Sequence, residues 1–149
     1  MKSQTLVPAG RVGAIYDIVV TAGFATPWTA SLILGLSAHI HNAFGLPGAP
    51  MPEFESFHLF YVALFGIVVT MWSMVRIIWP VPLLIAADTL GRAAFSSMFI
   101  WALVGGHSAV VVPFLVLEVT FLVFQGLGVR KALRADEASR SIARELATA

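Results

Sequence analysis

The chain has 149 residues, of which 58% are hydrophobic and only 11% charged, and its formal net charge is +1. Soluble domains carry about 25% charged residues, so this much apolar surface exceeds what a small core can hide and points to lipid as the solvent. The absence of cysteine excludes disulfides, thiolate metal sites, cysteine nucleophiles and iron–sulfur clusters, and the small net charge argues against a nucleic-acid partner.

The opening "MKSQTLVPAG" lacks the apolar run of a signal peptide, so no cleavage is expected and the first span serves as its own insertion signal. A membrane helix needs about 20 mostly apolar residues, and four stretches qualify: 12–38, interrupted by Pro27, then 57–79, 81–104 and 110–129. The long connection "HIHNAFGLPGAPMPEFES" between the first two holds Pro and Gly that forbid a continuous helix, while "WPVP" and "GGHS" are tight turns. Pro27 and Pro113 read as kinks or helix starts. None of the apolar runs alternates as a barrel strand would. The expected fold is therefore all-α, a four-helix transmembrane domain over 1–130 followed by a polar tail, 131–149, that either forms a surface helix or frays.

Lys2 and Arg11 precede the first span, Arg76 is placed at the turn between the second and third, and Arg130, Lys131, Arg134, Arg140 and Arg144 follow the fourth. All these cations fall on one side, which the positive-inside rule makes cytoplasmic, with both termini inside. Trp79 reads as an interfacial belt residue.

Ionisable groups within the apolar runs carry the functional signal, because each costs about 2.5–3.5 kcal/mol at the bilayer centre on insertion scales. At a rise of about 1.5 Å per residue, Asp17, Asp88, Arg92 and Glu118 reach related depths. Asp88 and Arg92, four apart, share one helix face. The expectation is convergence of Tyr16, Asp17, Asp88, Arg92, Glu118 and Gln125 between the helices. With three carboxylates and one arginine counted there, at least one carboxyl is expected to carry a proton, Glu118 or Asp17 ahead of Asp88, which has Arg92 on its own helix face. Glu118, Asp17 and Asp88 are the acid–base candidates; Arg92, Tyr16, Gln125 and Trp101 are binding or structural candidates. The competing reading is an interhelical clamp without chemistry.

All four histidines fall on the opposite side. His39, His41 and His58, with His107, Glu53 and Glu55 nearby, are ligand types for zinc or copper, but "HIH" suits a strand rather than a helix, and no metal site or cofactor is assigned. Phe54, Phe57, Phe60 and Tyr61 read as packing or belt aromatics. Gly91, Ala94 and Ser97 in "GRAAFSS" read as a surface for close helix approach. No nucleophile elbow, phosphate-binding loop or dinucleotide fingerprint appears.

The early "YD" at 16–17, Pro27, the Gly/Pro-rich loop at 45–52 and the acidic Glu118 in the last span resemble small bacterial membrane proteins of the DoxX-like and BphX-like kind, over most of the chain and at the level of architecture. That resemblance implies an inner-membrane partner of an oxidoreductase. Three function classes follow: a subunit that binds a lipophilic ligand or a membrane oxidoreductase partner, alone or as a homo-oligomer; an intramembrane isomerase or cyclase using the buried carboxyls; and a small transporter.

Overall fold

A computed structural model describes residues 6–148. Lys2, one of the cations used for orientation, lies outside them. Among the described residues every regular element is helical: α1 (Leu6–Thr21), α2 (Pro27–Phe44), α3 (Ser56–Ile78), α4 (Pro82–Val104) and α5 (Val112–Thr148), with single 3₁₀ turns at Ala22–Phe24 and Ala109–Val111.

The burial pattern is the reverse of a water-soluble bundle. The buried positions of α1 are Gly10, Gly13, Ala14 and Asp17; those of α3 are Ala63, Gly66, Ser73 and Arg76; those of α4 are Ile85, Asp88, Arg92 and Ser96. These recur at three- and four-residue steps, the helical period. On α5 the inward stripe runs through Glu118, Gln125 and Ala132, seven residues apart. Small and polar side chains thus face inward, whereas Val19, Trp28, Leu32, Leu83, Leu90 and Val104 are each at least 74% exposed. Such a surface is compatible with an apolar solvent.

Three helices are long and apolar enough to cross a membrane, or four if α1 and α2 count as one bent span. The expected first stretch, 12–38, is broken at Pro27 as the sequence indicates, but as two helices bent by 99° rather than one kinked span. Thr26 caps α2 by accepting from the Thr29 N–H at 3.2 Å, and Pro27 occupies its first turn, the ordinary start of a helix. The break packs against the middle of α3, where a Cβ on Gly66 would collide with the Phe24 backbone. α2 then continues through His39 and His41 to Phe44 and closes at Gly45, left-handed at φ 55°. The first six residues of the expected long loop are therefore helical.

Loop 45–55 is tied to the α4–α5 turn by Ala49 N to Gly106 O (2.7 Å) and Ala109 N to Pro47 O (2.8 Å). α5 does not stop at the expected end of the fourth span; it runs unbroken through the polar tail. Pro113 sits in its first turn as a helix start. α4 packs along α5, and α1 packs along α3 while also touching α5 and α4. Although a turn of only Trp79–Val81 joins α3 to α4, these two helices scarcely pack on each other.

Candidate binding site

Five charged side chains from four helices meet inside the bundle. Arg92 of α4 is the hub: Nε donates to Asp88 Oδ2 (3.2 Å), Nη1 to Glu118 Oε2 (3.0 Å) and Nη2 to Asp17 Oδ2 (2.8 Å). Arg76 of α3 bonds Asp17, and its Nη1 lies 2.6 Å from Asp88 Oδ2. Arg76 is also held by Ser73 Oγ at 3.0 Å, and Trp72 Nε1 donates to Asp88 Oδ1 at 3.3 Å. Both guanidiniums are almost fully buried, Arg76 at 1% and Arg92 at 2% exposure. Each also faces a ring, Arg92 over Phe121 at 4.8 Å and Arg76 over Trp72 at 5.8 Å, close enough for cation–π attraction.

Arg76 is the principal correction to the sequence reading. It does sit in the last turn of α3, next to the α3–α4 connection, but its side chain points inward and completes the buried cluster. The charge count becomes three carboxyls to two guanidiniums, not three to one. A signal for it was present: Ala63, Gly66, Ser73 and Arg76 form one stripe of small and polar residues, which continues the inward face to the arginine.

Asp17, Asp88, Arg92 and Glu118 converge as expected. Tyr16 joins them, stacked on Phe121 at 4.9 Å. Gln125 is fully buried beside them, within 3.5 Å of Thr89 Oγ1. Gly13 provides its space: a Cβ there would stand 2.6 Å from Gln125 Nε2 and 3.0 Å from Arg92 Nη2. Trp101 does not join the group; it is 66% exposed and approaches only the His107 ring, at 6.0 Å.

The histidines do not assemble. His41 is buried and shares a 2.7 Å hydrogen bond with Ser108 Oγ, which pins α2 to the α4–α5 turn. His39, His58 and His107 are exposed. Among the described residues no three His, Asp or Glu side chains come together to hold a metal ion, so His39, His41 and His58 are not gathered as ligands.

Beside the ion cluster lies a cavity of about 370 Å³, within the range of small-molecule sites, about 300–1,000 Å³. Tyr16, Asp17, Asp88, Arg92 and Glu118 form its polar end. Its walls are Phe65, Val68 and Trp72 of α3, Gly91, Phe95 and Phe99 of α4, and Phe114 of α5. The rim residues Phe65, Val68 and Phe95 are exposed, so the cavity opens sideways through the gap between α3 and α4. Gly91 borders that gap with no atom within 4 Å of where its Cβ would stand. It therefore makes room rather than close helix contact, contrary to the sequence reading of "GRAAFSS".

Comparison of the chain with family models, curated proteins and solved structures finds no match in any of the three. Fold and site define a class in their own terms: an all-helical chain with three or four apolar helices around a buried Asp/Arg/Glu cluster and an adjoining apolar cavity.

Proposed function

We propose that this is an integral protein of the bacterial inner membrane with both ends cytoplasmic, and that it binds a lipophilic molecule bearing a polar head, drawn sideways from the bilayer. The observation that carries this reading is the cavity itself, apolar and aromatic on its walls and charged at one end. A purely structural ion clamp needs no such space beside it. The orientation is supported by Arg11 at one end of the chain and by Arg130, Lys131 and Arg134 at the other.

Gly91→Trp tests the reading, because the new side chain enters open space and leaves every ion-pair partner in place. Wild-type protein purified in mild detergent should retain an organic-extractable ligand detectable by native mass spectrometry. Gly91→Trp should lose it without a lower melting temperature. Equal retention by both proteins, or none by either, contradicts the reading.

Acid–base chemistry on the bound molecule is the second reading, favoured by Asp17, Asp88 and Glu118 all lining the cavity. A lipid and metabolite comparison of cells with and without the protein tests it: a substrate that accumulates without the protein, and is not cleared by Glu118→Gln, supports catalysis.

A further inference from the structure

The charge and hydrogen-bond inventory at the polar end of the cavity narrows the kind of head it receives. All three nitrogens of Arg92 are already engaged, by Asp88, Glu118 and Asp17. Arg76 is not part of the cavity lining, and Trp72 Nε1 is taken by Asp88. The donors at this end are therefore largely spent, the Tyr16 hydroxyl and one N–H of Arg92 Nη1 being what remains. Acceptor capacity is not. Asp17 and Asp88 each meet both guanidiniums, but Glu118 meets only Arg92, through Oε2. With every group ionised, three carboxylates against two guanidiniums leave one negative charge, and the carboxylate with the fewest partners lines the cavity.

The walls point the same way through a different interaction. Tyr16, Phe65, Trp72, Phe95, Phe99 and Phe114 surround the space, and aromatic faces attract cations most strongly where water is scarce. An anionic head would meet surplus negative charge, and a head that only accepts hydrogen bonds would find the arginine donors occupied.

We propose that the occupant is a lipophilic organic cation, an ammonium head on an apolar body, with the head between Glu118 and the aromatic walls and the body toward the gap between α3 and α4. This rests on the ligand-binding reading above and specifies its ligand class.

Three probes with one decyl tail separate the cases: decyltrimethylammonium, decanol and decanoate. Each is equilibrated with the protein in zwitterionic nanodiscs, and partition into empty discs is subtracted. The ammonium is expected to bind roughly tenfold or more tighter than the alcohol, about 1.4 kcal/mol, with decanoate weakest. Glu118→Gln, which removes the surplus charge, should erase the preference for the ammonium over the alcohol. An alcohol or carboxylate that binds as tightly as the ammonium in wild type overturns the cation assignment and leaves the ligand-binding reading standing. No retention of any probe above empty discs overturns both. The wild-type comparison decides the matter even where Glu118→Gln fails to fold.

Discussion

Asp17 and Asp88 each touch two guanidiniums that come from different helices, so neither arginine is redundant. Removing one partner of a buried pair costs about 3–5 kcal/mol, because the other charge is left uncompensated. Arg76→Gln should therefore lower the unfolding midpoint in detergent sharply. Arg76→Lys should recover only part of the loss, since an ammonium does not reproduce the guanidinium fork that serves Asp17, Asp88 and Ser73 together. A midpoint unchanged in Arg76→Gln would place Arg76 outside the cluster. The convergence of Asp17, Asp88, Arg92 and Glu118 was legible from helix rise, the four-residue step between Asp88 and Arg92, and the cost of charge in lipid. Arg76 was not, because its proximity to "WPVP" made a turn residue the simpler reading and masked the stripe through Ser73.

At the scale of elements, the two mid-helix glycines of α3 and α4 have opposite roles. Gly66 receives the backbone of the α1–α2 break, so a methyl group there meets main chain that cannot swing aside. Gly91 faces the cavity. Gly66→Ala should destabilise by about 1–3 kcal/mol or more, the range of overpacking. Gly91→Ala should be neutral or stabilise by up to about 1 kcal/mol, as an unstrained glycine replacement in a helix does. Melting curves of the two variants side by side check the contrast, and equal losses would contradict it. The bend itself was only half legible. Pro27 marks a kink or a helix start, but the 99° angle depends on the recess at Gly66, about 40 residues away in sequence, to which no local pattern refers. Beyond Ala132 and Val129, which pack on Ile85, the described residues 137–141 of α5 are exposed. Truncation after Arg134 should leave the melting temperature and ligand retention unchanged; a lower value of either would give the tail a structural role.

For the molecule as a whole, the distribution of polarity decides the architecture. Small and charged residues line the inward stripes, and most large apolar residues lie outside, so the bundle is held by ion pairs and close backbone contacts and its outer surface is compatible with lipid. That inversion was readable from composition and helical period. The cavity was not, since it is a gap left where α3 and α4 diverge, and Phe65, Phe95, Phe99 and Phe114 read equally well as packing residues until the helices are placed. One spin label tests directly whether the cavity opens to acyl chains. The native chain has no cysteine, so Gly91→Cys gives a single labelling site on the cavity wall. In bilayers, the label should collide freely with oxygen, which concentrates among acyl chains, and scarcely with a water-soluble nickel chelate. Ready access of the chelate would mean a water-filled path, and poor access of both reagents would mean a closed core with no cavity; either result contradicts an opening to the bilayer.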